Sequence, residues 1–367
     1  MTGVPGADTA PQRGEQRKRK IHRVSDPRRY AGQMKKGWIC LYGTWMKRLC
    51  CTVLSLLLCA ATVWAVDGNR TRSLIPVGHT VGIKLFSKGV MVVKFPDGRT
   101  PAKDCGLRTG DVIVQCGGVP ITSSEQFQSL LQESSPAELT VSRNGGEMTL
   151  RVEPERNESG VCQIGAWIRD SCAGIGTMTY YDPESNTFGC LGHGITDVDT
   201  ALLMPFQDGS ILPSTVKAVK KGEKGSAGEL RGDFDQNANL GTLYANTDRG
   251  VFGALCAQAD NLTERESVPT GEPVKGRAEI LSNVRGDEVA LYEIEILNVF
   301  PDSTDGRDMV LEITDSTLTA LTGGIVQGMS GSPILQDGKF VGAVTHVLLQ
   351  DPSRGYGISI ENMLSAS

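Results

Sequence analysis

The hydrophobic and polar positions of residues 79–154 predict a small domain built mainly of short strands. Residues 81–95 (VGIKLFSKGVMVVKF) contain two apolar runs on either side of a Ser-Lys-Gly stretch, which predicts two strands. A Gly-Asp turn then leads into a further apolar strand within GLRTGDVIVQCGGVPI, residues 106–121. The pattern therefore indicates β structure in the first half of this region.

A capped helix and a hairpin complete the region. Thr122, with Glu125 three residues later, predicts a capping box at a helix N-terminus, and the next apolar residues have helical spacing. Asn144-Gly145 stands between two alternating runs, which is a strong hairpin signal. Together with residues 106–121, these elements resemble a PDZ domain. The resemblance implies binding of extended peptide tails by strand addition beside the helix. A β domain that serves only as a spacer is the alternative.

The pattern changes after residue 155. Short apolar runs such as TFGCLGHGITD, VALYEIEILNVF and FVGAVTHVLL are separated by Gly, Asp and Asn turns. The chain has 44 glycines among 367 residues and few aromatic residues, which favours tight turns and short strands over long helices. Residues 155–367 therefore predict an all-β barrel or sandwich pair.

One uninterrupted apolar run precedes both regions. LCCTVLSLLLCAATVWAV, residues 49–66, carries no charged side chain, and about 20 residues of helix cross a bilayer. Lys47 and Arg48 precede the run, and positive charge before a span keeps that end cytoplasmic and exports the residues after the span. We predict a transmembrane anchor over 49–66. A cleaved signal sequence, for which the Val-Trp-Ala tripeptide offers a site, and a buried core helix are the alternatives.

Charge is unevenly distributed along the chain. Residues 1–48 hold 12 Lys and Arg against 3 Asp and Glu, a net charge of +9, whereas the remainder has a net charge of −14. Nucleic acid is one partner for such a basic block. Its position before the apolar run favours a cytoplasmic segment instead, with residues 67–78 as a polar linker to the exported domains. No nucleic-acid partner is predicted.

Six of the ten cysteines lie beyond the apolar run. They show no CxxC pair and no His/Cys spacing of a metal site, and nothing else indicates a metal or organic cofactor, so none is predicted. Free buried thiols and one or two disulfides both remain open for an exported domain. These cysteines are Cys105, Cys116, Cys162, Cys172, Cys190 and Cys256.

GGIVQGMSGSPIL, residues 323–335, has the composition of a nucleophile loop. A reactive serine needs a sharp turn, a base, and backbone N–H groups that face the developing oxyanion. Ser330 has Gly328 two positions before it and Gly331 directly after it, whereas Ser332 precedes a proline. We predict Ser330 as the nucleophile, the N–H groups of Gly328 and Ser330 as the oxyanion hole, and Ser332 as a turn hydrogen-bonder. A Gly-rich turn without chemistry is the alternative.

The base must be one of four histidines. His22 precedes the apolar run, and His79 lies at the linker. His346 lies in an apolar strand, which is typical of a packed or cleft-lining side chain. His193 stands between two glycines after an apolar strand, so its imidazole is free to face a cleft. We predict His193 as the general base for Ser330.

A third group should hold the other imidazole N–H and stabilise the imidazolium. Asp197 and Asp199 lie close to His193 in sequence, and Asp315 lies fifteen residues before Ser330. Spacing does not decide among them, and aspartates that come soon after a histidine often serve only as turn caps.

GMSGSP with an apolar strand directly after it resembles the nucleophile region of chymotrypsin-like serine peptidases. In those enzymes the strand after the serine pairs with the substrate backbone, a role open to FVGAVTHV. A closer resemblance covers the order of anchor, PDZ domain, LGHGITD and TGGIVQGMSGSPILQDGKFVGAVTHVLLQDPSRGYGISIENML. This order resembles the SpoIVB peptidases of endospore-forming bacteria. It implies a chymotrypsin-like double β-barrel over residues 155–367, with His193 as base, Ser330 as nucleophile and Asp315 as the acid.

The same resemblance implies a location and a role. SpoIVB peptidases are exported across the forespore inner membrane into the intermembrane space and cleave themselves on the N-terminal side of the PDZ domain. They then cleave a membrane-bound inhibitor of an intramembrane metalloprotease, which leads to activation of the late mother-cell sigma factor. The expected partners are protein substrates including the chain itself, a membrane-bound regulatory protein, peptide tails, and the membrane. An HtrA-like quality-control protease and an inactive PDZ adaptor are the alternatives.

Overall fold

The computed structural model describes residues 72–133, 135–256, 259, 262 and 264–367. The predicted basic segment, the predicted anchor and the first residues of the linker lie outside the described residues. Within these ranges, no helix has the length and apolar character needed to cross a membrane.

The described residues form mainly strands, which confirms the mainly-β part of the predicted fold class. The strands are β1 (Ser73–Pro76), β2 (Thr80–Lys94), β3 (Val112–Cys116), β4 (Val119–Pro120), β5 (Ala137–Arg143), β6 (Gly146–Val152), β7 (Glu155–Arg156), β8 (Cys162–Gln163), β9 (Trp167–Asp182), β10 (Thr187–Cys190), β11 (Asp208–Lys220), β12 (Glu229–Phe234), β13 (Gly241–Thr247), β14 (Gly250–Leu255), β15 (Val268–Pro269), β16 (Gly276–Arg285), β17 (Glu288–Val299), β18 (Met309–Ile313), β19 (Pro333–Gln336), β20 (Lys339–Val347) and β21 (Arg354–Ser359). The helices are α1 (Pro101–Asp104), α2 (Ser124–Glu133), α3 (Ser316–Thr322) and α4 (Ile360–Leu364).

Two antiparallel barrels form the larger part of the molecule. In the first barrel the strands have the order β9–β10–β14–β13–β11–β2, and β2 pairs again with β9 to close the ring. In the second barrel the order is β16–β17–β18–β21–β20–β19. Alternating apolar residues of each strand point inward, as the period of two residues requires. The first core contains Val81, Ile83, Phe188, Ile211, Leu243 and Val251, and the second contains Ile280, Ile294, Leu311, Ile334 and Val344.

β2 is one long strand rather than the two strands predicted around residues 87–89. Its register against β9 shifts between Phe86 and Met91, so the polar interruption forms a bulge. Gly89 lies there with φ of +85°, and a Cβ at this position would lie 2.4 Å from the Ile113 carbonyl oxygen. The prediction of two strands was wrong because a bulge with glycine absorbs the extra residues without ending the strand.

This strand belongs to two domains. Its first half pairs with β11 and β9 in the first barrel, and Val90 and Met91 pair with β3 of the smaller domain. The smaller domain is therefore inserted between β2 and β9 of the barrel. Part of the first barrel thus comes from residues before 155, where the peptidase region was predicted to begin.

The smaller domain contains the predicted hairpin and helix. Arg143 pairs with Gly146 across Asn144-Gly145, whose φ values of +51° and +78° suit a two-residue hairpin turn. The helix α2 begins at Ser124, and Ser123 Oγ accepts the N–H of residue 126 at 3.1 Å. The cap is therefore one residue later than the predicted Thr122, whose hydroxyl donates to the Gln126 side chain instead.

The chain itself occupies the space beside α2 in which a peptide would add as a strand. Ile168 of β9 pairs with Val92 of β2, and Ile164 is buried in the core of the smaller domain. Gln128 on α2 donates to the Cys162 carbonyl, and the Ser124 N–H donates to the Asp170 carboxylate at 2.7 Å. A peptide tail that bound here would have to displace residues 162–170.

The structure changes the interpretation of the linker and decides between the two alternatives for the cysteines. Part of the predicted linker forms β1, which pairs with β15 and β9. The six cysteines beyond the apolar run are all free thiols in the structure. Burial raises the pKa of the Cys105, Cys116, Cys172 and Cys190 thiols, which keeps them protonated and unreactive near neutral pH.

Candidate active site

The loop between α3 and β19 carries Ser330 and depends on two glycines. Gly328 and Gly331 have φ values of +98° and +96°, in the left-handed region that favours glycine. A Cβ on Gly331 would lie 2.3 Å from the Thr177 carbonyl oxygen and 2.6 Å from the Leu191 nitrogen. The loop therefore packs directly against the first barrel, which the Gly-rich sequence permits.

The two N–H groups predicted for the oxyanion hole are free. Within the described residues, neither the Gly328 nor the Ser330 N–H donates a hydrogen bond to another protein group. Their neighbours are engaged: the Met329 N–H donates to the Val326 carbonyl at 3.1 Å, and the Gly331 N–H to the Val344 carbonyl at 2.7 Å. Because only these two amides of the turn lack acceptors there, they are available to a substrate oxyanion.

His193 comes after β10 on a turn of the first barrel. Leu191 and Gly192 take positive φ values of +71° and +69°, and a Cβ on Gly192 would meet side chains of the second barrel, so this turn lies against that barrel. Its Nδ1 lies 2.9 Å from the Gly194 carbonyl oxygen. With the proton on Nδ1, this contact leaves Nε2 free to accept a proton. Burial lowers the pKa of His193, and the contact with the Gly194 carbonyl partly opposes that shift.

Ser330 and His193 lie on loops that contact each other, but no hydrogen bond joins the two side chains among the described residues. The Ser330 hydroxyl donates to the Thr345 carbonyl oxygen at 2.6 Å. The two loops are joined through Thr177, whose N–H donates to the Ser330 carbonyl and whose carbonyl accepts from the Leu191 N–H, both at 3.1 Å. A rotation of the serine side chain is thus needed before the proton can pass to His193, as is common in unliganded enzymes.

His346 lies beside the predicted base. The two ring centroids are 5.0 Å apart, with 39° between the ring planes. Burial and the nearby charges of His193 and Arg307 lower the pKa of His346 to about 4, and Asp305 opposes the shift. His346 is therefore neutral at neutral pH. The sequence predicted a packed or cleft-lining side chain for His346. Its position in the strand directly after the serine was the signal for a cleft-lining role.

The structure does not bring the candidate acids to His193. Asp315 is the N-cap of α3, and its Oδ1 accepts the Leu318 N–H at 2.8 Å. Asp197 and Asp199 both pair with Arg169, each at 2.7 Å. No hydrogen bond or ion pair between His193 and a carboxylate occurs among the described residues, and the Gly194 carbonyl holds the imidazole instead. Asp315 as the acid therefore stays a prediction, and in this structure its carboxylate is used as a helix cap.

We expect the variant Asp315→Asn to retain nearly all activity and stability. Asn is as good an N-cap as Asp, so the Leu318 N–H keeps an acceptor. The variant Asp315→Ala should lose about 1 kcal/mol of unfolding free energy. Urea denaturation and kcat measured on both variants test this. A fall in kcat of about 10⁴ in a folded Asp315→Asn variant, the effect of removing a triad carboxylate, would show that Asp315 acts on His193.

The pH profile tests the environment of His193 separately. Since the base must be neutral to accept a proton, and burial lowers its pKa, we expect activity to persist below pH 6.5, the ordinary value for histidine. The profile of kcat/KM against pH reports this pKa in the free enzyme. An acid limb centred above pH 7 would instead indicate a carboxylate that stabilises the imidazolium.

The described residues contain no group of three His, Cys, Asp or Glu side chains placed to hold a metal ion. The site is built from one imidazole, one hydroxyl and backbone groups. These are the groups that acyl transfer to a serine requires.

Comparison with known proteins identifies this arrangement. The model of the SpoIVB peptidase S55 family matches residues 160–364, a stretch that includes both His193 and Ser330. The chain belongs to the SpoIVB peptidase S55 family. It is a serine peptidase, and a second family model, that of a PDZ domain, matches residues 96–143.

A curated protein matches a shorter part of this chain than the family model does. A protein of Clostridium perfringens (strain 13 / Type A), named as a putative zinc metalloprotease, is 32% identical over 68 residues, which are 18% of this chain and 20% of that protein. The chain thus spans about a fifth of that curated relative. Two solved structures are similar. The PDZ domain of the SdrC-like protein from Listeria monocytogenes is 21% identical with a TM-score of 0.20, and the match covers 22% of this chain and 87% of that one. The inactive form of the Rv3671c protease is 13% identical with a TM-score of 0.30, and the match covers 52% of this chain and 82% of that one.

Proposed function

We propose that this SpoIVB peptidase is a sporulation-signalling endopeptidase that cleaves itself and a membrane-bound inhibitor of an intramembrane metalloprotease. That cleavage leads to activation of the late mother-cell sigma factor. The observation that carries the chemistry is the contact between the loop of His193 in the first barrel and the loop of Ser330 in the second, with two free N–H groups beside Ser330. Family membership supports the biological role.

The geometry supports a chymotrypsin-like reaction. Ser330 Oγ turns from the Thr345 carbonyl towards His193 Nε2, which accepts its proton as Oγ attacks the substrate carbonyl carbon. The N–H groups of Gly328 and Ser330 stabilise the oxyanion, and His193 then returns the proton to the leaving amine. In the second half of the reaction, water gives a proton to His193 and attacks the acyl carbon. Ser330 Oγ then leaves and takes that proton back.

The end of β20 offers a place for the substrate backbone. The last residue of β20 that pairs with β19 is Ala343, whereas pairing with β21 continues to Val347. Over residues 345–347, which include His346, this edge therefore has no partner strand among the described residues, and the Ser330 hydroxyl donates to the Thr345 carbonyl there. An extended substrate added here would lie along the cleft.

The proposal also includes the location of the enzyme at a membrane. The basic segment 1–48 and the apolar run 49–66 support a membrane anchor with its N-terminus in the cytoplasm and the enzyme in the space between the forespore membranes. An anchored enzyme is confined to the surface where a membrane-bound substrate lies. We further propose that peptide tails reach the smaller domain only after residues 162–170 have left the side of α2.

The proposed role is tested in an endospore-forming host that lacks its own copy of the enzyme. The parent chain should restore cleavage of the membrane-bound inhibitor and sigma-factor processing, and Ser330→Ala should restore neither. Mass spectrometry of the purified parent should also show self-cleavage on the N-terminal side of the smaller domain. Induction by heat together with normal sporulation of the Ser330→Ala strain would indicate a quality-control protease instead.

A further inference from the structure

The carbonyl groups around the oxyanion hole are each held by a donor. The Gln327 carbonyl accepts the Leu230 N–H at 2.8 Å. The Gly328 carbonyl accepts the Thr177 hydroxyl at 2.7 Å, and the Ser330 carbonyl accepts the Thr177 N–H at 3.1 Å. With these oxygens engaged, the free N–H groups of Gly328 and Ser330 are the polar groups of the turn left for a ligand.

The peptide between Gly328 and Met329 has a glycine on one side. Glycine tolerates many backbone conformations, so the rotation of this peptide meets little steric resistance from Gly328 itself. The Met329 N–H donates to Val326 at one end, and the Thr177 hydroxyl holds the carbonyl at the other. Without the hydroxyl, the carbonyl could rotate towards the cleft, where its negative end would repel an oxyanion.

Thr177 is well placed to hold this peptide still. It is fully buried on β9, and its backbone bonds to the Ser330 carbonyl and to the Leu191 N–H fix its position against both loops. Its hydroxyl is therefore a rigid donor and does not have to be ordered when substrate binds. Among the described residues, this hydroxyl donates to the Gly328 carbonyl, beside the nucleophile, and to no other group.

We propose that the Thr177 hydroxyl is a positioning group for the oxyanion hole, acting through the Gly328 carbonyl. The inference rests on the proposed peptidase chemistry at Ser330. Thr177 touches neither the substrate nor the reacting atoms, so its effect is on transition-state stabilisation and not on substrate binding.

Three variants of the full chain separate this role from a general effect on folding. Thr177→Val keeps the shape and removes the hydroxyl, and Thr177→Ser keeps the hydroxyl. Thr179→Val is the matched control, because Thr179 lies two residues further along β9, is equally buried, and its hydroxyl has no partner among the described residues. We expect kcat of Thr177→Val to fall by roughly 10- to 100-fold with KM little changed, since direct removal of an oxyanion donor costs about 10² to 10³. Thr177→Ser and Thr179→Val should remain within a few-fold of the parent.

A second readout does not depend on turnover. Crystal structures of the parent and of Thr177→Val should differ in the direction of the Gly328 carbonyl, and a peptide boronic acid should bind the variant more weakly. Equal falls in kcat for both valine variants, a serine variant as slow as Thr177→Val, or an unmoved Gly328 carbonyl would each overturn the inference. A parent chain that cleaves nothing would defeat the proposed function, whereas the crystal comparison would still decide the role of Thr177.

Discussion

Ser330→Ala is expected to lower kcat by roughly 10⁶, because the reaction then lacks its nucleophile and only the oxyanion hole and substrate binding remain. His193→Ala should cost nearly as much. The double variant should be little slower than either single variant, because the two groups act as one unit. Single-turnover kinetics on a peptide that spans the self-cleavage site, with labelling by a fluorophosphonate, measures these effects.

Ser332→Ala is the matched control for the nucleophile. Ser332 lies two residues from Ser330 on the same loop, but it is buried and its hydroxyl donates to Ser282 at 3.0 Å. We expect this variant to retain kcat and to lose about 1 kcal/mol of unfolding free energy. A Ser332→Ala variant that is inactive while Ser330→Ala still turns over would transfer the nucleophile to Ser332.

Gly331→Ala is expected to damage both stability and activity. The added Cβ would lie 2.3 Å from the Thr177 carbonyl oxygen and 2.6 Å from the Leu191 nitrogen, and both are backbone atoms that cannot step aside. The positive φ of +96° adds conformational strain of about 1–3 kcal/mol. We expect a loss of more than about 4 kcal/mol of unfolding free energy. Any folded fraction should have low kcat, because the loops of Ser330 and His193 are pushed apart.

Gly338→Ala separates strain from collision. Gly338 also has a positive φ, +72°, but a Cβ there would meet nothing within 4 Å. This variant should lose only the cost of the conformation, about 1–2 kcal/mol, and keep kcat. Urea denaturation of both variants gives the comparison. Equal losses would show that the contact between the nucleophile loop and the first barrel is looser than the structure indicates.

Local sequence was sufficient where the chemistry depends on a few neighbouring residues. The glycines around Ser330 and His193 predicted sharply turned loops, and the structure has positive φ at Gly328, Gly331 and Gly192. The Asn144-Gly145 hairpin was predicted for the same reason, since its turn type depends on two residues. Local sequence was not sufficient where one residue suits two roles. Asp315 suits both a triad acid and a helix cap, and only the fold shows it as a cap.

By itself the sequence determined the mainly-β class, the hairpin, and the turned loops that carry Ser330 and His193. The tertiary structure decided which distant residues meet them. It brought Thr177 to the nucleophile loop, His346 to the side of His193, and residues 162–170 to the side of α2. It also made β2 a strand of both domains. The physical reason is that strand pairing joins residues far apart in the chain, and period-two patterns specify which face of a strand is buried but not which strand will lie next to it.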